Sequence, residues 1–432
     1  MDKRKLAIGI IQKLQKNNFQ AYFAGGCVRD MVMKKKPDDY DIATDATPNQ
    51  IRGLFEKTVF VGAEFGTVLV VKDGISFEVT TFRGKKRKEF SKTPKKDVLN
   101  RDFTINGLLY DPLKKKLIDF CNGELDIKKR LIRCIANPSR CFKYDKLRLL
   151  RAIRFSAALG FKIEAKTFEA IKKFKDEIDK VSKERIRDEL IGIMTSANPY
   201  RGMKLLDETG LLSIILPEME ALKSVEQPPK FHPEGDVFTH TMLLIKRLKN
   251  ADTVLAFACL LHDIGKPSTY KKTDRIRFDG HDKVGAKLAQ QLLKRLRFSN
   301  GEMKKIVYCV DNHMRVMNAM KMREATLKKL FLKDTFETEL KLHKLDCIAS
   351  HNDLKVYKFL KRRYEEFKKR PVLPKPILNG YEIMKMGFKE GPIIGKIQRD
   401  LVDRQLEGGI RTKGNAKEWV YQRWQRWIEK DK

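Results

Sequence analysis

The stretch Gly25–Gly26–Cys27–Val28–Arg29–Asp30, followed by Pro37–Asp38–Asp39–Tyr40–Asp41–Ile42–Ala43–Thr44, decides how the rest of the chain is read. Before it, Gln20–Ala21–Tyr22–Phe23–Ala24 has the make-up of a short strand, which Gly25–Gly26 ends. A helix is expected from about Val28. Paired glycines at such a junction let backbone N–H groups approach phosphate oxygens closely. If residues 38–44 form a strand, alternation turns Asp39 and Asp41 to one face. Two carboxylates so placed hold a hard cation such as Mg²⁺. Two such ions about 4 Å apart activate an attacking hydroxyl and stabilise a leaving oxygen. Glu78, on the alternating run Phe77–Phe82, offers a third carboxylate. An isolated Asp-x-Asp is usually a surface loop. Behind a Gly-Gly turn it reads as a metal-dependent phosphoryl-transfer site.

Outward from this stretch, residues 5–18 repeat apolar side chains at helical spacing (Leu6, Ile10, Ile11, Leu14). Residues 58–62 and 66–72 read as strands, and Lys72–Asp73–Gly74–Ile75 as a hairpin turn. From about residue 139 helices follow one another. Leu147, Leu150, Ile153, Arg154 and Ala157 share one, and Ile186, Leu190, Ile193 and Met194 another. Pro217, Pro228–Pro229 and Pro233 punctuate a junction, residues 238–365 are again helical, and Pro371, Pro374 and Pro376 mark a linker. The expected division is an α+β head over 1–138, a helical neck over 139–205, a helical body over 206–368 and a basic helical tail over 369–432.

Lys and Arg number 91 against 56 Asp and Glu, a formal charge of +35. Such an excess favours a polyanionic partner, because each neutralised phosphate releases condensed counterions. The plain alternative is a solvated basic surface. The seven cysteines include no C-x-x-C pair and no disulfide framework, which points to a reducing, cytoplasmic setting. The N-terminal stretch is amphipathic and broken by Gln and Lys, unlike a signal peptide, and no long apolar run predicts a membrane span.

Several further segments occur in order: Gly66–Thr67–Val68, Glu78–Val79–Thr80–Thr81–Phe82–Arg83, Arg101–Asp102–Phe103–Thr104–Ile105–Asn106–Gly107, Asp145–Lys146–Leu147–Arg148–Leu149–Leu150–Arg151–Ala152–Ile153–Arg154–Phe155 and Glu184–Arg185–Ile186–Arg187–Asp188–Glu189–Leu190. With the opening stretch they resemble the class II tRNA nucleotidyltransferase and bacterial poly(A) polymerase family over essentially the whole chain. The resemblance implies a polymerase-beta-like nucleotidyltransferase head, followed by an all-α neck, body and tail. It implies that Asp39 and Asp41 hold two Mg²⁺ ions with Glu78 assisting, while an RNA 3′-hydroxyl attacks the α-phosphate of a nucleoside triphosphate. Gly25, Gly26, Arg29 and Asn106 fall in its nucleotide-binding motifs. Arg101 and Asp102 would select the ribose; a structural ion pair is the alternative. Asp145 and Arg148, three apart and expected on one helix face, would read the incoming base. A carboxylate accepts from the exocyclic amine of cytosine or adenine, and a guanidinium donates to a ring nitrogen. Arg151 and Arg154, at the next turns, would meet triphosphate charge; an ordinary basic helix face is the alternative.

The chain departs from this pattern twice. Tyr144 stands where the family usually has Glu, and the segment between Arg83 and Arg101 is short. A short segment is similar to CC-adding members, since a flexible lever would be needed to reshape the pocket from CTP to ATP. The leading expectation is a tRNA 3′-end enzyme that adds CMP from CTP and stops after two cytidines. Full CCA addition with ATP as second substrate, A addition and poly(A) synthesis are the alternatives.

A second constellation lies in the body. His240, His262–Asp263 and Asp346 match the ligand pattern of HD-type phosphohydrolases, with His281 and His313 available to a second metal. The resemblance implies a divalent metal there, of unspecified identity. A rival of another class follows from it: an RNA-binding HD phosphohydrolase with an idle head. In the tail, Leu378–Met384 and Gly387–Lys396 are similar to the family's RNA-binding end. Val420, Trp424 and Trp427 follow helical spacing and are read mainly as packing residues, with stacking of Trp419, Trp424 and Trp427 on RNA beside the interleaved Arg as the alternative.

Overall fold

The computed structural model describes residues 2–60, 66–84, 89–228, 235–369 and 375–429. The expected strand residues 61 and 62, the loop residues 85–88, and Pro229, Pro233, Pro371 and Pro374 lie outside them. The chain divides into two compact units. One is Met1–Lys223 with Leu248–Thr253 and Leu292–Ser299; the other is Ser224–Arg247, Val254–Gln291 and Asn300–Lys432.

The first unit is built on a seven-stranded mixed sheet. Its strands are β1 (Ala21–Ala24), β2 (Ile42–Thr44), β3 (Thr58–Phe60), β4 (Thr67–Lys72), β5 (Ile75–Thr81), β6 (Leu108–Asp111) and β7 (Lys116–Asp119), in the spatial order β3-β4-β5-β2-β1-β6-β7. The β4–β5 hairpin turns on Asp73 and Gly74, both at positive φ (51° and 77°), as a tight turn matched to strand twist requires. Along β5, Phe77, Val79 and Thr81 are buried while Ser76 and Glu78 are exposed. The sheet therefore has a core face and an open face. Helix Lys3–Lys16 buries Ala7, Ile10, Ile11 and Leu14, its expected apolar stripe.

The expectation of a strand over 38–44 is corrected: β2 begins at Ile42. Its parallel pairing with β5 starts at Ile42↔Val79, and just before it the Asp41 carbonyl accepts from the Ala24 N–H of β1 (3.0 Å). Asp39 and Asp41 still share an orientation, because Tyr40 between them turns inward, is 6% exposed and packs on Phe23. The register continued back by one residue sets Asp41 beside Glu78.

Helices follow the sheet. Helix Pro138–Tyr144 ends one residue before Asp145, and helix Arg148–Leu159 starts three residues after it. Asp145 itself is extended (φ −150°, ψ 113°). The expectation that Asp145 and Arg148 lie on one helix face is thus corrected: they flank a break. Helix Lys183–Met194 buries Ile186, Leu190, Ile193 and Met194 as expected.

The second unit is helical. His240 lies inside helix Val237–Arg247, and His262 and Asp263 follow helix Thr253–Leu261. His281 opens helix His281–Arg295, His313 follows helix Asn300–Asn312, and Asp346 lies in helix Phe336–Ala349. Gly265 allows the close approach: a Cβ there would lie 2.1 Å from the His281 carbonyl oxygen and 2.6 Å from the Gly285 nitrogen. The tail closes on Leu378, Ile383, Phe388, Ile397, Leu401 and Val420, against which Trp419 and Trp424 pack. Trp427 is 52% exposed.

Candidate active site and metal centre

Two adjoining cavities open in the first unit. One, of about 270 Å³, is lined by Gly25, Gly26, Arg29, Asp41, Arg101, Asn106 and Phe155. The other, of about 260 Å³, is lined by Thr67, Thr80, Tyr144, Asp145, Arg148 and Arg185. Arg83, Asp102 and Arg151 line both.

At the acidic rim, Asp39 is 83% exposed, and its carboxylate meets Lys3 Nζ at 3.1 Å. Asp41 faces solvent yet is crowded by protein. Desolvation first, then the Glu78 charge, pushes its carboxyl up to about 6, against the pull of Arg101. A carboxylate crowded by neighbouring carboxylates in this way suits a hard cation, which would relieve the repulsion. Gly25 holds φ 72°, where an added Cβ would meet Arg101 Nη1 at 3.1 Å. Its own N–H is committed to the Leu108 carbonyl (3.2 Å), so Gly25 contributes room rather than a donor.

Behind the rim runs a connected polar network. Arg29 donates to Asp30 (2.9 Å) and to Asn106 Oδ1 (3.1 Å). Asn106 Nδ2 donates to Asp102 Oδ1 (3.1 Å), and Arg151 grips Asp102 Oδ2 at 2.6 and 2.8 Å. Burial alone would raise the Asp102 pKa. Arg151 and then Arg148 overcome it and hold the carboxyl well below the usual range. Arg101 is fixed by Asp97 at 2.8 Å. Arg154 is turned to Glu189 at 2.6 Å and lies over the Phe155 ring; it lines neither cavity. The expected contact of Arg154 with triphosphate charge would compete with this pairing, which braces the helix carrying Arg151.

The expected base readers meet in the second cavity, each with a prior partner. Both oxygens of Asp145 accept from Arg185, at 2.7 and 3.2 Å. Arg148 is buried and donates to the Asn100 carbonyl at 2.5 Å and to the Cys141 carbonyl at 3.4 Å. Its guanidinium lies 4.7 Å from the centre of the Tyr144 ring.

In the second unit, six side chains converge in two groups, His240–His262–Asp346 and Asp263–His281–His313; within each, the ligand atoms lie within 4.8 Å of one another. Asp263 joins the groups, 3.2 Å from His262 Nε2 and 3.5 Å from His281 Nε2. The expected set of His240, His262, Asp263 and Asp346 is brought together, and His281 and His313 with it. The Nδ1 atoms of His262, His281 and His313 lie 2.9, 2.8 and 2.7 Å from the carbonyl oxygens of Cys259, Phe278 and Val310. Each of these rings therefore donates Nδ1–H outward and turns an Nε2 lone pair inward. Buried His262 Nε2, with the Asp263 carboxylate 3.2 Å away, makes no well-aligned hydrogen bond among the described residues, as expected of an atom that serves a metal. Burial first, then the neighbouring His262, pushes the His313 pKa down to about 4, which keeps that ring neutral and ligand-ready. Imidazoles with carboxylates suit a borderline divalent metal such as zinc, manganese or iron. A cavity of about 840 Å³ beside the cluster is lined by Lys266, Arg275, Arg277, Phe278, Met314 and Met317.

Residues 21–133 match the poly A polymerase head domain, 160–223 the probable RNA and SrmB-binding site of polymerase A, and 236–353 the HD domain. An A-adding tRNA nucleotidyltransferase from Deinococcus radiodurans is 30% identical over 432 residues, covering 95% of this chain and 96% of that one. The chain belongs to the tRNA nucleotidyltransferase family. A CCA-adding enzyme from Bacillus pumilus is 42% identical over 214 residues; the match spans 48% of this chain and about half, 53%, of that relative. Among solved structures, the Bacillus stearothermophilus CCA-adding enzyme in complex with CTP superposes with a TM-score of 0.77 at 24% identity, each chain covered fully (100%). The Thermotoga maritima CCA-adding enzyme complexed with tRNA gives 0.60 at 22%, covering 98% of this chain and 96% of that one. The fold is thus a nucleotidyltransferase head on a mixed sheet with a helical body containing an HD domain.

For this family member, reasoning from sequence missed Arg83, Arg185, Thr67 and Thr80 as cavity-lining residues. All four stand inside the motif segments that carried the resemblance, which was the available signal. Among the described residues no helix is long and apolar enough to cross a membrane.

Proposed function

We propose that this chain is a template-independent tRNA 3′-end nucleotidyltransferase that transfers CMP from CTP to the terminal hydroxyl and stops after two cytidines. The observation that carries the reaction class is Asp41, beside Glu78 and next to exposed Asp39, lining a cavity with Arg29, Arg83, Arg101 and Arg151. Asp39 and Asp41, with Glu78 beside them, would hold Mg²⁺, which supplies activation of the attacking hydroxyl and charge neutralisation on the leaving oxygens. The 3′-oxygen bonds to the α-phosphorus, the bond to the β-phosphate's bridging oxygen breaks, and pyrophosphate leaves. Arg29 and Arg151 meet the triphosphate, Arg101 and Asp102 the ribose, and Asp145 and Arg148 the base edge. The formal charge of +35 suits a tRNA acceptor arm, in a cytoplasmic setting. The fourfold division at residues 138, 205 and 368 belongs to this reading.

Three observations favour further activities. The CCA-adding relatives make full CCA addition, with ATP after CTP, the second reading, and an A-adding relative matched over 95% of the chain makes AMP transfer alone the third. The two histidine–aspartate groups support a metal-dependent phosphohydrolase activity in the HD domain. One assay separates the readings. A tRNA lacking its 3′ end is incubated with each labelled nucleotide and the product sequenced. Two added cytidines are expected. Two cytidines followed by one adenosine support the second reading, a single adenosine added only to a tRNA already ending in CC supports the third, a long A tail makes the chain a poly(A) polymerase, and no product from any nucleotide overturns the proposal.

A further inference from the structure

We infer that Tyr144 is a specificity-determining residue, whose ring clamps Arg148 so that the base cavity keeps one shape and accepts one kind of nucleotide. The inference rests on the proposed nucleotidyl transfer and goes beyond it, since it assigns the choice of base to a residue at which this chain departs from its family's usual Glu. The Arg148 guanidinium is held in its plane by the Asn100 carbonyl (2.5 Å) and the Cys141 carbonyl (3.4 Å). From its face it is held by Tyr144, 4.7 Å away. With these contacts made, Arg148 keeps further N–H donors for the cavity it lines with Tyr144 and Asp145. Across the break, Asp145 is fixed by the two bonds from Arg185. Acceptor and donor are both braced before any nucleotide arrives, and a braced pair does not turn from the edge of a pyrimidine to that of a purine.

Tyr144 closes the back of this arrangement. Besides the base cavity, Tyr144 and Arg148 together line a cleft of about 10 Å³ with Asn100, Arg140 and Cys141. The ring and the guanidinium thus border the same two spaces, and removing the ring would open room beside the guanidinium. A carboxylate at position 144 would act differently. It would pair with Arg148 by charge and leave both faces of the guanidinium open, so the donor could pivot.

The test is the ratio of kcat/KM for CTP to that for ATP, with product sequencing, in the full-length wild type and in Tyr144→Ala, Tyr144→Phe and Tyr144→Glu. Wild-type incorporation of one nucleotide comes first; its absence overturns the transfer reading and leaves no ratio to compare. Given that activity, Tyr144→Ala and Tyr144→Glu are expected to cut the discrimination ratio by about tenfold or more, and to append the second nucleotide to the same tRNA. Tyr144→Phe keeps the ring and is expected to keep the wild-type ratio. A merely structural Tyr144 would lower both kcat/KM values together. An unchanged ratio in an active Tyr144→Ala or Tyr144→Glu enzyme overturns the inference while leaving the transfer reading intact. If Tyr144→Ala fails to fold, Tyr144→Glu and Tyr144→Phe decide between the same outcomes.

Discussion

The acidic rim of the first unit and the histidine cluster of the second are both fit for metal, but by opposite physics. The rim is open: Asp39 is 83% exposed, and Asp41 and Glu78 face solvent. Such a donor set binds a hard cation weakly until substrate phosphates complete the coordination. The cluster is closed: His240, His262 and Asp263 are at most 3% exposed, and three of its rings are oriented by backbone carbonyls. There the protein supplies the donors and their outer support, so a metal belongs to the folded unit itself. A transient ion shared with substrate wants an exposed site, and a resident ion a buried one. The sharpest break in this comparison is Asp41→Asn. It should reduce nucleotide incorporation roughly a thousandfold, the loss of several kcal/mol of transition-state charge stabilisation. Thermal unfolding should stay within a few degrees of wild type, since the side chain faces solvent. Incorporation within tenfold of wild type would remove Asp41 from the site.

The matching change in the second unit should act on stability and metal content instead. Asp263 joins both histidine groups and also pairs with buried Lys266 at 2.7 Å. Asp263→Ala leaves that lysine without its carboxylate and is expected to cost about 3 kcal/mol, the lower end for breaking a buried pair. Metal content by mass spectrometry should fall to background in His262→Ala and Asp263→Ala alike, and metal-stimulated phosphatase activity should be lost with it. CTP incorporation by His262→Ala should remain within about twofold, as expected of a site in a separate compact unit. Loss of both activities in His262→Ala would join what the comparison separates.

The network behind the rim lies between these extremes, and pH tests it. The Asp102 carboxyl is held low, so its contribution to stability is complete above its unfolded pKa of about 3.9 and disappears as pH falls toward the folded value. Asp102→Asn should cost about 2 kcal/mol at neutral pH, trimmed from the buried-pair value because Arg151 is a third exposed. The gap in melting temperature between Asp102→Asn and wild type should be constant from pH 8 to pH 5 and narrow below about pH 4. A gap that widens in acid would reverse the assigned sign.

What was legible in the sequence followed from local rules. Gly25, Tyr40 and the Asp73–Gly74 turn obey backbone and alternation constraints that a short window contains. The histidines were legible through their resemblance to the HD-type ligand pattern. Other features depend on partners far along the chain. Nothing in Lys143–Tyr144–Asp145–Lys146 marks a helix break, for it holds neither Gly nor Pro. The break is tied instead to Arg185, forty residues on, which holds Asp145 out of the helix. Arg154 reads as one more phosphate-facing guanidinium on its helix, and only the packing of helix Lys183–Met194 brings Glu189 to it. The strand predicted over residues 38–44 is short for a similar reason: pairing, not propensity, starts β2 at Ile42.

The smallest expected effect returns to the rim and tests how open it is. Lys3 Nζ reaches Asp39 Oδ1 at 3.1 Å and the Asp38 carbonyl at 3.0 Å, with Lys3 itself 47% exposed. The ammonium stands where it competes with a cation for the same carboxylate, but in water such a pair is worth little. Lys3→Ala should lower the Mg²⁺ concentration for half-maximal incorporation by no more than about fivefold, the range an exposed ion pair supports. The shift should shrink as salt is raised, because solvent-exposed charges are screened within about 8–10 Å at moderate ionic strength. The direction matters more than the size. An ammonium that merely caps an idle carboxylate would leave the Mg²⁺ requirement where it was, whereas one that competes for a working ligand must, when removed, let the ion bind more readily. A rise in the Mg²⁺ requirement would mean that Lys3 orients Asp39 for the metal, and the rim would then be a partly built site like the cluster in the second unit.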